Sequence, residues 1–423
     1  MAEPTTAPKP ATVTGPTSPR LRGPALRMLG PAFVAAIAYV DPGNVAANIS
    51  AGAQFGYLLV WVLVAANAMA VVVQYLSAKL GLVTGQSLPE VIGARLGRRS
   101  RLAFWGQAEL VAAATDLAEI IGGAIALNLL FGLPLLVGGA ITGAVSMIIL
   151  SIQQRRGQRP FEVVITSMLA ILAVGFCAGL FVAPPSGSAA LAGLVPRFDG
   201  PSSVLIAASM LGATVMPHAI YLHSALARDR HGRTHTPAGL RRLLIASRWD
   251  VVLALLLAGT VNIAMLLLAA STLPGVAGVD SLEGAHAAIE STLGPFVGMA
   301  FAIALLASGL ASTSVGSYAG AEIMQGLLNV RIPLMARRLV TLIPALLLLT
   351  TGLSATWLLV LSQVVLSFGI PFALIPLVRI TSDPSVMGEH QNKLAMTITA
   401  WSVALVIVVL NVTLIVLAAR GAG

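Results

Sequence analysis

The sequence predicts an all-α, polytopic membrane protein of eleven transmembrane helices, and three observations carry that prediction. The 423 residues are 57% hydrophobic and only 10% charged, with a mean hydropathy of +0.91, a composition that belongs to membrane chains. Apolar runs of about 20 residues, the length that a bilayer core demands, recur along the whole chain. Basic residues also collect on alternate connections between those runs, as a membrane topology requires.

The runs lie at about 30–52, 57–79, 103–131, 134–152, 161–183, 203–227, 248–271, 296–326, 338–352, 355–378 and 395–419. Residues 1–27 precede them. That stretch is rich in Pro and Thr and lacks an apolar core, so it reads as a disordered cytoplasmic tail and not as a cleavable signal peptide. Of the 25 lysines and arginines, 23 fall on one side of an eleven-span chain, leaving Arg197 and Arg420 opposite. By the positive-inside rule the N-terminus is then cytoplasmic and the C-terminus extracytoplasmic. The net charge of +9 suggests nucleic acid at first sight, but basic residues spread over loops are explained by topology. The single cysteine, Cys177, excludes disulfides and thiolate metal clusters.

Span one, PAFVAAIAYVDPGNVAANISAG, holds Asp41-Pro42-Gly43-Asn44 near its middle. A carboxylate at that depth is costly and marks a functional site. Pro42 cannot donate to the helix ladder and Gly43 tolerates turns closed to other residues, so the helix should break here. The break should leave the Val40, Asp41 and Gly43 carbonyls without helical partners, which is tolerable only where they line an enclosed cavity. With the Asp41 carboxylate and Asn44 amide they would form an all-oxygen cation site.

Span six, SVLIAASMLGATVMPHAIYLHSALA, is interrupted at Met216-Pro217-His218. Interruptions in spans one and six, five apart, mark an inverted 5+5 repeat whose discontinuous helices meet at the midplane. The two repeats would occupy 28–185 and 200–380, with 390–423 as an additional eleventh helix. If the breaks face each other, the Met216 thioether joins the oxygen donors. That mixture favours borderline metals such as manganese, iron, cobalt or cadmium over sodium, magnesium or calcium. Weak, mixed ligation also suits a carrier that must release its cargo.

His218 suits proton handling, and His223, about 140° further round the helix, does not share its face. In span three, Glu109, Asp116 and Glu119 share one broad face, and Asp116 and Glu119 lie about 20 Å along from the helix start. Three carboxylates in a membrane helix must face the interior, pair or bind protons. A proton wire is the favoured reading, with Arg337 or Arg338 of span nine as partner. Asn262 and Gln363 are intramembrane amides that would join the site or bridge helices.

Several segments together resemble the Nramp family. They are DPGN, MPH followed by LHS, ATDLAEIIGGAIALNLLFGLPL (114–135), VQYLSAKLGLVTGQSLPE (73–90), LLASGLASTSVGSYAGAEIMQG (305–326) and LSQVVLSFGIPFALIPL (361–377). The resemblance covers roughly residues 28–380 and implies a LeuT-type fold and proton-coupled import of divalent metals. The cargo it implies is Mn²⁺, with Fe²⁺, Cd²⁺ and similar ions. Asp41, Asn44 and Met216 match the family's metal ligands, and Ala38 and Ala213 match positions that lend backbone carbonyls. Gln363 matches a residue that approaches the metal as the outer side closes. Asp116, Glu119, His218 and Arg338 match its proton-pathway network, to which Asp41 and Arg337 are added here. Pro42, Gly43 and Pro217 are the helix breaks. Ala219 stands where many relatives have Asn, and Ala321 where Gln is common. The Met at 216 argues against the magnesium-specialised branch.

The sequence thus reads as a secondary active transporter of the inner membrane and not an enzyme. Its partners would be divalent metal ions, protons and the lipid bilayer. No permanently bound cofactor, no nucleic-acid or nucleotide partner and no required oligomer are expected. The alternative is a sodium-coupled amino-acid symporter of the same fold. That activity would need a pocket for an α-carboxylate and side chain, where Asp41 and Met216 offer a cation site. A metal receptor on a transporter scaffold would bring a soluble signalling domain, which the chain lacks.

Overall fold

The computed structural model describes residues 30–232, 236–276, 278–279, 281–330 and 332–419. The predicted tail, residues 1–27, and Arg420 lie outside them. The described residues are helices joined by short connections, with no strand among them. Among the described residues nine helices are long and apolar enough to cross a membrane. They are Val60–Thr84, Arg98–Phe131, Leu135–Arg156, Gln158–Val182, the interrupted Gly200–His231, Pro237–Thr272, Pro295–Leu328, Ala355–Thr381 and Leu394–Thr413, the last being the apolar part of the helix Leu394–Ala419. These correspond to predicted spans two to eight, ten and eleven.

The other two predicted spans are helical but shorter. Span one is Pro31–Ala36, a 3-10 turn Ile37–Val40, and Pro42–Phe55. Span nine is Leu334–Leu349, with Pro344 inside it. Several helices outrun their predicted bounds: span three starts at Arg98 and span seven at Pro237. Hydropathy detects only the apolar part, while helical hydrogen bonding continues into the charged turns beyond. A short helix that the apolar runs could not reveal, Leu88–Arg95, follows span two. Its signal was nonetheless present, because Ser87 and Glu90 form a capping box around Pro89.

The helix contacts repeat in the manner of two interlocked halves. Span seven packs on the second half of span one, and span two packs on the second half of span six. Span ten against span three is matched by span five against span eight, and spans three and eight share the most extensive interface of all. Each of these pairs maps onto its partner when the two five-span halves are exchanged, as an inverted repeat requires.

Small residues set the closest approaches, since apolar bulk gives membrane helices no solvent-driven reason to associate. A Cβ built on Gly309 of span eight would sit 2.8 Å from the backbone nitrogen of Gly123 in span three. A Cβ on Gly122 would lie 2.1 Å from Cγ of Pro42, so this glycine admits the break of span one against span three. The first turn of span one is held from span seven, where the Asp250 carboxylate accepts from the backbone N–H of Gly30 at 3.0 Å and of Ala32 at 2.9 Å.

Span eleven is more than the appendage that the repeat count implies. Pro371 within span ten has no N–H for the carbonyl of Ser367, four residues earlier. Asn411 of span eleven donates its amide to that carbonyl at 2.5 Å.

The Pro42 ring is rigid, so Gly122→Ala should cost about 1–3 kcal/mol by overpacking. Gly106, on the same helix, has open space around its Cβ direction. Thermal unfolding in detergent should therefore place Gly122→Ala below wild type, and Gly106→Ala at or above it.

Candidate metal site and proton pathway

Proline chemistry fixes where the two breaks fall. Pro42 is the first residue of the second half of span one and Pro217 the first of the second half of span six, the position that tolerates a missing N–H best. The interruptions therefore lie just before the prolines, at the turn 37–41 and at Val215–Met216. Neither proline can donate to the carbonyl four residues earlier. Those carbonyls belong to Ala38 and Ala213.

The three carbonyls expected to stand free are otherwise engaged. Asp41 is the N-cap, and its own carbonyl accepts from Val45 N–H at 3.1 Å. The Val40 carbonyl accepts from the Ser308 hydroxyl at 2.5 Å, and Gly43 lies inside the restarted helix. The Tyr39 carbonyl accepts from the Asn262 amide at 2.7 Å. Asn262 thus bridges span seven to the break, and its Oδ1 accepts from Asn48 at 2.8 Å. Asn48 was legible as a candidate because it stands four residues after Asn44, on the same helix face.

The two breaks are joined by one side chain. Asn44 Nδ2 donates to Asp41 Oδ1 at 2.7 Å and to the Ala213 carbonyl at 2.8 Å. The backbone N–H of Asn44 also donates to Asp41 Oδ1, at 2.8 Å. This leaves Asp41 Oδ2 and Asn44 Oδ1 buried with no hydrogen-bond partner. Gln363 of span ten reaches the same place: a Cβ on Gly43 would lie 1.7 Å from its Nε2 and 3.2 Å from Asp41 Oδ2. Its Oε1 is likewise unpartnered. Met216 is the N-cap of the restarted span six, three residues from Ala213. Asp41, Asn44 and Met216 have no exposed surface and Gln363 keeps 3%. The junction is therefore sealed in this conformation, and any cargo needs a helix movement to enter or leave.

Among the described residues no three His, Cys, Asp or Glu side chains converge as a metal-holding cluster. The junction instead brings together one carboxylate, two carboxamides and the Ala213 carbonyl, with Met216 at the adjoining break. A separate polar recess of about 590 Å³ lies among Gln153, Arg228, Asp229, Tyr318, Glu322 and Gln325, at the end where the basic connections gather.

Span three and span nine supply the charged network. Arg337 Nη2 meets Glu109 Oε1 at 2.6 Å, while its Nη1 lies 3.9 Å from Asp116. Arg338 Nη1 lies 3.4 Å from Asp116 Oδ1, and its Nε donates to Ser146 at 2.9 Å. Both arginines predicted as alternatives are thus used. They are buried inside the bundle and not spread over loops, because each has a carboxylate to face. Glu119 has neither oxygen hydrogen-bonded. Its carboxylate and that of Asp116 converge over Gly316, where a Cβ would meet them at 2.9 Å and 3.4 Å.

The two histidines part as their spacing predicts. His218 Nδ1 approaches the Thr115 hydroxyl of span three at 3.4 Å, beside Asp116, and its Nε2 has no partner. His223 Nδ1 lies 2.7 Å from Gln74 Oε1, and Gln74 donates to the Tyr39 hydroxyl at 2.6 Å. Thr115, Ser146, Gln74 and Tyr39 were not singled out from the sequence. Gln74 alone carried a visible signal, as an amide within an apolar run.

Residues 32–417 match the family model described as "Natural resistance-associated macrophage protein-like". The divalent metal cation transporter MntH of Mycobacterium tuberculosis (strain ATCC 25618 / H37Rv) is 62% identical over 394 residues, 93% of this chain and 92% of that protein. The crystal structure of the Eremococcus coleocola manganese transporter, in complex with an aromatic bis-isothiourea substituted compound, superposes with a TM-score of 0.82 at 29% identity. It covers 95% of this chain and 89% of its own. A nucleobase-cation-symport-1 family transporter, TM-score 0.59 at 16% identity over 92% of this chain and 89% of that one, shares the fold alone. The chain belongs to the Nramp family of membrane transporters.

Proposed function

We propose that this chain is a proton-coupled importer of divalent transition-metal ions, Mn²⁺ and Fe²⁺ first among them, working by alternating access across the inner membrane. The observation that carries the reading is the sealed junction of Asp41, Asn44, Ala213 and Gln363, with three buried oxygens unpartnered and the Met216 break beside them. Asp41 supplies the charge that draws a cation to membrane depth. Asn44 holds Asp41 and Ala213 together and turns its own free oxygen to the cargo. The Ala38 and Ala213 carbonyls, released by Pro42 and Pro217, and the Gln363 amide complete the shell, and Met216 discriminates by softness.

Protons travel through Asp41, His218, Asp116, Glu119, Arg338 and Arg337. Glu119, with no partner, takes and passes the proton; Asp116, held by both arginines, relays it toward the end where basic connections gather. That end faces the cytoplasm, which places the N-terminus inside and the C-terminus outside. The alternative, a sodium-coupled amino-acid symporter, meets a donor set shaped for a bare cation and a chain whose family is Nramp.

Three measurements in purified protein and liposomes test this reading. Asp41→Asn removes the only carboxylate at the junction among the described residues and should weaken Mn²⁺ binding by about a hundredfold or more, abolishing uptake while the protein stays folded. Wild-type uptake by that variant would remove the site from consideration. Asp116→Asn should lose most of the response of Mn²⁺ uptake to an imposed pH gradient. An unchanged response in both Asp116→Asn and Glu119→Gln would make span three structural.

Met216→Ala opens space for a water in place of sulfur. Cd²⁺ binding should fall most, on the order of tenfold, and Mn²⁺ less, while excess Ca²⁺ or Mg²⁺ begins to compete for uptake. Alkaline-earth ions that compete no better than with wild type would reduce Met216 to packing.

A further inference from the structure

The 3-10 turn before Asp41 turns three successive carbonyls, of Ala38, Tyr39 and Val40, out of the helix ladder, yet the proposed cage uses only the first. Two side chains from outside the turn account for the others: Asn262 holds Tyr39, and Ser308 holds Val40 at 2.5 Å. The Val40 carbonyl belongs to the peptide unit whose nitrogen is that of Asp41. A bond to that oxygen sets the plane of the peptide from which the Asp41 side chain projects.

Ser308 departs from the usual habit of a helical serine, which bonds back to its own helix. Ser312 and Ser314 on the same span do so, to Ser308 and Leu310 carbonyls. Ser308 reaches across to span one instead. Its neighbour Gly309 is pressed against the Gly123 backbone of span three, so the hydroxyl projects from a part of span eight that cannot yield easily. Ser308 itself has no exposed surface.

We infer that Ser308 is a positioning residue for metal selection: its hydroxyl fixes the Val40–Asp41 peptide so that Asp41 Oδ2 and the Ala38 carbonyl, and not the Val40 carbonyl, face the cargo. The inference rests on the reading of the Asp41 junction as the metal site. Ser308 touches no metal in this scheme, so its removal loosens the cage without changing which donors compose it.

The test is calorimetric binding of Mn²⁺ and Cd²⁺ to purified full-length protein, with Mn²⁺ uptake in liposomes, for wild type, Ser308→Ala, Ser308→Thr and Asp41→Asn. Ser308→Ala should weaken Mn²⁺ binding about three- to tenfold, the range of one lost hydrogen bond. Maximal uptake rate should stay within about twofold, the pattern of a binding defect without a turnover defect. The ratio of Cd²⁺ to Mn²⁺ affinity should not move, because the Met216 sulfur remains. Ser308→Thr, which keeps the hydroxyl, should restore wild-type affinity.

Wild-type Mn²⁺ affinity in Ser308→Ala, a changed Cd²⁺ to Mn²⁺ ratio, or failure of Ser308→Thr to restore binding overturns the inference. Should Ser308→Ala not fold, Ser308→Thr decides alone: wild-type affinity supports the role and weakened affinity overturns it. Asp41→Asn separates the two levels, since wild-type binding by that variant refutes the junction itself, whatever the serine variants do.

Discussion

The amide of Asn44 is the contact on which the rest of this structure depends. Two broken helices, 169 residues apart at this contact, meet where Nδ2 donates both to Asp41 and to the Ala213 carbonyl. Without that bridge a carboxylate and a released carbonyl, both electron-rich, would face each other in a medium too poor in water to screen them. With it, one oxygen of Asp41 is satisfied and the other stays open. A membrane protein can keep a cation site of this kind only if exactly enough polarity is left unsatisfied to attract an ion, and the rest is paired.

The pairing is done by helices outside the two broken spans. Span seven sends Asn262 and span eight sends Ser308 to the turn, while Asp250 of span seven holds the first turn of span one from its other end. Span eleven performs the same service for span ten, placing Asn411 at the Ser367 carbonyl orphaned by Pro371, about one turn beyond Gln363. Prolines create the irregularities and single side chains on neighbouring helices repair those not needed for transport. A neutral donor is the economical repair at this depth, because a charge would itself need a partner.

The charged network on span three solves the opposite problem. Glu109 and Asp116 are matched by Arg337 and Arg338, so burial of those charges is offset by a hydrogen-bonded pair at 2.6 Å, a longer ion pair at 3.4 Å and the Ser146 hydroxyl. Glu119 is left over, against Gly316 and one turn from the Gly122 that receives Pro42. The glycines of spans three and eight bring the carboxylates of span three and the break of span one within one packing layer. That closeness would give the proposed proton and cation movements a common structural element, the break of span one.

From the sequence alone the number and order of spans, the two breaks, and Asp41, Asn44 and Met216 as the polar or soft residues standing at those breaks could be read. Hydropathy, proline and carboxylates in apolar runs are local properties whose costs in a bilayer do not depend on the rest of the fold. The break in span one pointed to the Val40, Asp41 and Gly43 carbonyls as the free ones, whereas the missing N–H of Pro42 and Pro217 deprives those of Ala38 and Ala213, to which the resemblance alone had pointed. The tertiary structure decided what became of the remaining polar groups. The Val40 carbonyl went to Ser308, 268 residues away. Arg337 and Arg338 divided Glu109 and Asp116 between them, and His223 turned to Gln74 and not to the junction. Such choices depend on which helix faces which, and helix periodicity records only that a face is buried, not which donor stands opposite it.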